Sequence, residues 1–230
     1  MIYRFSLVKN EIMSKISLSG YKSIKEMNMK LAVFGGTFDP PHQGHIFIAE
    51  KVIAAKLAEK VVFVPAFDPP HKLGRKICSF ERRLQMLKLA LGKNENFILS
   101  ETEKARAEKP SYTLATMTAL SSEYPEDELY ILIGSDSLRQ LHTWHRAEEL
   151  IEKWKFIVYP RNGELPSTEE LETHWPPETA RKLINYTVIM PFSEISSTEI
   201  RNAVAKNEKV SNLSIPEVMN YIRMNRLYQE

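Results

Sequence analysis

A single cysteine, Cys78, stands in a chain of 230 residues, which excludes an intrachain disulfide framework. No apolar run is long enough to cross a bilayer, and the N-terminal stretch lacks the compact apolar core of a signal peptide. Cytoplasmic residence is the default expectation. Neither sign of charge dominates: 31 Lys and Arg against 29 Asp and Glu leave a formal net charge of +2, with no basic stripe of the sort a nucleic-acid binder needs. Internal repeats and low-complexity tracts are missing too. What is present, 43% hydrophobic and 26% charged residues, is the composition of one globular domain with a sizeable core. Acidic small molecules, met by local sites, are the expected partners. Nucleic acid and membrane are not expected, and a homo-oligomer stays open.

The first 28 residues read differently from the rest, mixing Lys9, Lys15, Lys22 and Lys25 with five serines and little periodicity. They are expected to be a poorly ordered extension, or the result of a start placed upstream of Met29, so the domain is taken as residues 29–230. Within it, apolar runs alternate with helical stretches. The runs are Leu31 to Phe34, Val61 to Val64, Phe97 to Leu99, Leu129 to Ile133, Phe156 to Val158 and Thr187 to Ile189. Helices are expected over Ile46 to Lys60, Ser79 to Leu91, Tyr112 to Ser122 and Pro216 to Leu227. This alternation predicts an α/β fold, a Rossmann-like doubly wound parallel sheet with a small C-terminal helical segment. Right-handed crossovers then bring the loops after the strands to one edge.

The first of those loops is Gly35-Gly36-Thr37-Phe38-Asp39-Pro40-Pro41-His42-Gln43-Gly44-His45, between a buried strand and a helix. Glycine lets a ligand approach the backbone, and a helix start favours anions. His42 and His45, three apart, share a helix face and would complement the charge that builds on a phosphate in flight. Zinc ligation and plain surface polarity are the competing readings of the histidines. For zinc no second ligand pair is evident, and no metal site is assigned.

The run resembles the GTFDPxHxGH signature of the nucleotidyltransferase superfamily, in the form seen in bacterial nicotinate-nucleotide adenylyltransferases. The resemblance extends from Met29 to Tyr228. It implies that His42 and His45 are catalytic and that Gly35, Gly36, Thr37 and Phe38 join them in binding ATP. In Pro65 to Lys72, a proline-stiffened loop, it implies that Lys72 contacts substrate phosphate; a solvated surface lysine is the alternative. In Pro110-Ser111-Tyr112-Thr113, ordinary helix caps by residue type, it implies that amides and the Thr113 hydroxyl meet a nicotinate carboxylate. Many relatives have an Asp-Thr pair a little further on, where this chain has Ala115-Thr116.

Gly134 and Asp136, otherwise an ordinary helix start, would hold the adenosine end. Trp144, by itself more often a core residue than a ligand, would stack on the pyridine ring, and the resemblance implies that Tyr112 and His145 also bind the mononucleotide. Ile195-Ser196-Ser197-Thr198-Glu199-Ile200-Arg201 resembles the ISSTxIR element, which places Ser196, Ser197, Thr198 and Arg201 around a triphosphate. Capping explains the serines alone, and a surface salt bridge competes for the arginine.

The implied reaction joins ATP and nicotinate mononucleotide into deamido-NAD and pyrophosphate. The phosphate nucleophile is already ionised, so positioning and charge neutralisation suffice, with positive charge expected on His42, His45, Lys72 and Arg201. Mg²⁺ is expected to travel with ATP, since no carboxylate cage is visible. Three alternatives stand beside this reading. One is another small-molecule nucleotidyltransferase such as pantetheine-phosphate adenylyltransferase. The second is a class I aminoacyl-tRNA synthetase, for which the chain leaves little room. The third is a nucleotide-binding module without catalysis, which intact histidines disfavour.

Overall fold

The computed structural model describes residues 28–69, 77–106, 109–161, 163–191, 196–210 and 214–229. Five strands form one sheet: β1 Lys30–Gly36, β2 Lys60–Pro65, β3 Phe97–Leu99, β4 Glu128–Gly134 and β5 Lys155–Tyr159. Their spatial order is β3-β2-β1-β4-β5, and every neighbouring pair is parallel. Among the described residues the flanking helices are α1 Gln43–Ala54, α2 Phe80–Leu91, α3 Thr102–Arg106, α4 Thr113–Glu123, α5 Ser135–Arg139, α6 Ala147–Lys153, α7 Thr168–Glu172, α8 Pro177–Ile184, α9 Ser197–Ala205 and α10 Pro216–Met224. None is long and apolar enough to cross a membrane.

Side chains alternate across a strand, and both faces of this sheet are buried, which is why the strands read as continuous apolar runs. Leu31, Val33, Val62, Ile131 and Val158 turn to one face, under Met117 of α4, Leu150 of α6 and Leu183 of α8. Ala32, Phe34, Phe63, Leu132 and Ile157 turn to the other, under Val52 of α1, Met86 of α2 and Ile222 of α10. The expected doubly wound architecture is therefore the observed one. The chain reverses its direction of travel across the sheet at β1, which pairs with β2 on one side and β4 on the other. In open parallel sheets that crevice is where ligands bind.

Two expectations need correction. Thr187 to Ile189 is not a sixth strand: Val158 N–H donates to Tyr186 O at 3.0 Å and Val188 N–H to Val158 O at 2.9 Å, after which pairing stops. Ile189 is 99% exposed, and Pro191 has no amide to extend a ladder. The helix expected over Ile46 to Lys60 begins earlier, at Gln43, and ends at Ala54. Lys56 takes a left-handed backbone, φ +56°, and turns the chain into β2. Residues 1–27, Lys72 with His71, and Ile195 lie outside the described residues.

Candidate active site

The two strands bordering the crevice end in glycine, Gly36 on β1 and Gly134 on β4. Beyond β1 the chain bends at Phe38, whose φ is +50° and whose ring is only 2% exposed. Phe38, expected among the ATP-binding residues, instead has its side chain buried as the floor of the histidine loop, packed edge-on against His45 with centroids 5.0 Å apart. His42 caps α1 with an extended backbone, and His45 sits at the third helical position. The His42 amide donates to His45 Nδ1 at 3.2 Å, while the His45 amide donates back to His42 O at 3.0 Å. With Nδ1 engaged as acceptor, neutral His45 carries its proton on Nε2. The two rings lie 3.8 Å apart, so the expected pairing of the histidines is a direct contact.

Their charge differs from expectation. Burial pulls the His42 pKa down to about 4, reinforced by Arg161 and opposed by Glu199. Burial also holds His45 well below the ordinary imidazole range, followed by the neighbouring His42 and Arg161. Both rings are neutral near pH 7, hydrogen-bond donors rather than cations. A pH prediction arises directly. Because the unfolded His42 takes its proton near 6.5 and the folded one near 4, the contribution to stability is complete above pH 6.5 and is lost as pH falls toward 4. The loss is on the order of 3 kcal/mol by the bottom of that window. Denaturant melts at pH 7.5 and 5.0 measure it, and His42→Gln, which cannot titrate, should flatten the slope. An unchanged slope would assign the acid sensitivity elsewhere.

The ISST-like segment meets this loop from the far end of the chain. Ser196 caps α9, its Oγ accepting from Glu199 N at 3.2 Å while Glu199 Oε2 accepts from Ser196 N at 2.8 Å. Ser197 Oγ donates to Pro40 O at 2.9 Å, and Arg201 donates from Nη1 to Asp39 O at 2.7 Å and from Nη2 to Thr198 Oγ1 at 3.1 Å. Arg201 thus grips the histidine loop, keeping further guanidinium donors for an anion. Asp39 itself is buried, accepting from Tyr228 Oη and from the Cys78 amide. Burial, followed by the Asp39 carboxylate, drives the Tyr228 pKa far up, so the phenol stays a donor.

On the other side of β1 lies a cavity of about 310 Å³. Gly35, Gly36 and Thr37 form one wall, Tyr112, Thr113 and Thr116 of the α4 start another, and Thr143, Trp144 and His145 a third. Tyr112 stacks on His145 with centroids 4.3 Å apart and planes at 21°. Trp144 packs one flank against the core. The loop after β2 is tied to this wall by a reciprocal pair: Asp68 N donates to Ser111 Oγ and Ser111 N to Asp68 O, both at 2.9 Å. All four described residues expected around a pyridine nucleotide therefore line one cavity.

A cytidylyltransferase-like family model matches residues 33–203. Nicotinate-nucleotide adenylyltransferase of Bacillus subtilis is 36% identical over 201 residues, covering 87% of this chain and 98% of its own. The chain belongs to the nicotinate-nucleotide adenylyltransferase family. Two solved structures of Plasmodium falciparum nicotinic acid mononucleotide adenylyltransferase share its fold. The one complexed with NaAD has a TM-score of 0.68 at 19% identity, covering 86% of this chain and 97% of that one. The one complexed with APC has a TM-score of 0.66 at 18% identity, covering 87% and 98%.

Several residues of this family member's cleft escaped the sequence reading. Arg161, just beyond β5, shares a small cavity of about 40 Å³ with His42, His45 and Tyr159. Its Nη1 lies 3.3 Å from Asp136 Oδ2, so the carboxylate assigned to the adenosine end has a cation beside it. The rule that loops after parallel strands converge on one edge was the available signal. Gly134 has a steric reason to be glycine: a Cβ there would stand 2.5 Å from Asp136 Oδ1 and 3.3 Å from Tyr159 Cζ. Glu103, buried beside the larger cavity, accepts from Phe67 N at 2.8 Å and from Thr116 Oγ1 at 2.7 Å. Thr116, which keeps the threonine of the relatives' Asp-Thr pair beside the departing Ala115, is thus fixed in the wall.

Among the described residues no group of three or more His, Cys, Asp or Glu side chains converges on a point. The nearby carboxylates are engaged, Asp39 by Tyr228 and Asp136 by Arg161. That donor set fits an ion carried on nucleotide phosphates better than one caged by the protein.

Proposed function

We propose that this chain transfers the adenylyl group of ATP to nicotinate mononucleotide, giving deamido-NAD and pyrophosphate in NAD biosynthesis. The observation that carries the reading is a divided cleft in which one glycine-rich strand end serves both halves. Phe34 at the end of β1 faces the two-histidine pocket, while Gly35, Gly36 and Thr37 wall the aromatic cavity.

ATP lies along the histidine side, with its α-phosphate at His42 and His45 and its outer phosphates toward Ser197, Thr198 and Arg201. Among the described residues His42 Nδ1 is buried without a partner, a polar atom whose N–H tautomer a phosphate oxygen satisfies. Gly134 and Asp136 hold the adenosine end. The mononucleotide occupies the cavity, its ring against Trp144, its carboxylate at the start of α4 beside Thr113, and its phosphate toward Lys72. A phosphate oxygen of the mononucleotide attacks the α-phosphorus in line, forming one P–O bond as the bond to the bridging oxygen breaks. The electron pair leaves on pyrophosphate. The attacking oxygen is already ionised, so no base is required. Histidine N–H groups, held before the reaction, stabilise the growing negative charge without reorganising. Nucleotidyltransferases generally use a divalent metal with ATP, and Mg²⁺ on the phosphates would supply further charge neutralisation here.

Pyrophosphate release by purified protein tests the proposal, with nicotinate and nicotinamide mononucleotides run side by side. The helix start offers an anion about 0.3–2 kcal/mol, so the acid should be favoured by roughly two- to thirtyfold in kcat/KM. Equal turnover would remove the carboxylate contact. Turnover of phosphopantetheine alone would replace the substrate.

A further inference from the structure

Arg83 belongs to no motif, yet it is one of the most buried side chains of the molecule, 1% exposed. It lies on the apolar stripe of α2, in helical step with Phe80, Leu84 and Leu87. Leucine or methionine would fill such a place at no electrostatic cost, whereas a buried guanidinium must recover its hydration from the protein. It does so on main-chain carbonyls from three separate segments. Nε donates to Cys78 O at 3.0 Å, Nη1 to Thr37 O at 2.8 Å and Nη2 to Ala66 O at 2.7 Å.

Thr37 continues from β1 into the histidine loop, and Ala66 continues from β2 into the loop tied to Ser111. Both residues line the larger cavity. Cys78 leads into α2 and also donates its amide to Asp39, two residues beyond Thr37. From this we infer that Arg83 is a positioning residue: its planar fork fixes the separation of the ATP loop and the mononucleotide loop, and with it the alignment of the two substrates. A guanidinium holds its N–H vectors at fixed angles in one plane. Lysine keeps the charge and loses the fork, and its one ammonium cannot hold both carbonyls in the same geometry.

The inference rests on the adenylyl-transfer reading, because alignment matters only if two substrates react across the cleft. The test compares parent, Arg83→Lys and Leu84→Ala, with Tm, kcat and both KM values measured on each full-length protein at a temperature where it is folded. Leu84 is buried on the same helix, is not among the residues that line either cavity, and has no donor group with which to hold the loop carbonyls. A misplacement of 1 Å can cost on the order of a hundredfold in rate, so Arg83→Lys should lose about that factor, mostly in kcat. Leu84→Ala should lower Tm at least as far while keeping kcat/KM within about threefold, since a core cavity away from the cleft costs stability rather than alignment. Arg83→Lys with kcat within threefold of the parent overturns the inference, and so does Leu84→Ala with an equal loss. If Arg83→Lys does not melt cooperatively above 25 °C, Arg83→Gln, which keeps a planar donor group, takes its place; failure of both to fold makes Arg83 a residue of the fold alone and overturns the positioning role. An inactive parent overturns the functional reading as well, whereas an active parent with an equally active folded variant overturns only this inference.

Discussion

His45→Ala should lower kcat for adenylyl transfer by about a hundredfold while leaving ATP affinity within about threefold. The magnitude is that of one preorganised donor aimed at a developing charge, about 3 kcal/mol. The division between kcat and affinity follows from the proposed placement of the outer phosphates at Ser197, Thr198 and Arg201, which does not depend on the imidazole. A smaller loss of stability accompanies it. Removing the ring frees the His42 amide from Nδ1, a capping contact worth about 1 kcal/mol. Steady-state rates at saturating substrates and calorimetric titration with ATP separate the two effects, and a variant with full kcat would take His45 out of the reaction.

The neutral state of the ring adds a second readout. A catalytic imidazolium loses its proton, and the rate with it, as pH rises through 6.5. A neutral Nε2–H donor loses nothing there, so kcat should stay level between pH 6.5 and 8. ATP brings negative charge to the pair and raises both pKa values, which predicts net proton uptake on binding below that range, as pH falls from about 6 toward the free His42 value of about 4. Calorimetry in two buffers of different ionisation enthalpy measures the uptake.

Legibility in the sequence followed the kind of physics each feature obeys. The five strands were readable because both faces of the sheet are buried, leaving uninterrupted apolar runs such as Val61 to Val64. Thr187 to Ile189 has the same residue types but only one bridge available at the outer edge of β5, a tertiary fact that propensity does not encode. Residues in contiguous motifs could be grouped from sequence: His42 and His45 stand in ring contact, and Tyr112, Thr113, Trp144 and His145 line one cavity. Arg161, Glu103 and Arg83 act across loops distant in sequence, so no local pattern announces them. Arg83 left one trace, a charge on the apolar stripe between Phe80 and Leu87. Charge state was the least legible property of all, because the histidine pKa values depend on burial and on Arg161, more than a hundred residues away.

The paired glycines offer the sharpest separation of fold from function. A Cβ on Gly36 would meet three ring atoms of Phe38, at 2.9, 3.1 and 3.2 Å. That ring cannot swing clear, since His45 lies on one side at 5.0 Å and Phe63 on another at 6.0 Å, centroid to centroid. Gly36→Ala should therefore cost about 1–3 kcal/mol of stability, the range for overpacking a filled core, and displace His45 as well. A Cβ on Gly35 would meet no heavy atom of the described residues within 4 Å beyond its chain neighbours, and Gly35 has no positive φ to protect. Alanine should be tolerated there, or slightly stabilising through a less flexible unfolded chain. But Gly35 lines the cavity, so its new methyl projects into ligand space. Gly35→Ala should keep its Tm within a degree or two and lose about 10- to 100-fold in kcat/KM, the same overpacking energy now charged to the bound ligand. Paired melts and kinetics on the two variants decide the matter. A Gly35→Ala protein that is fully active would mean that substrates stay clear of the strand end; one that is as destabilised as Gly36→Ala would make both glycines residues of the fold.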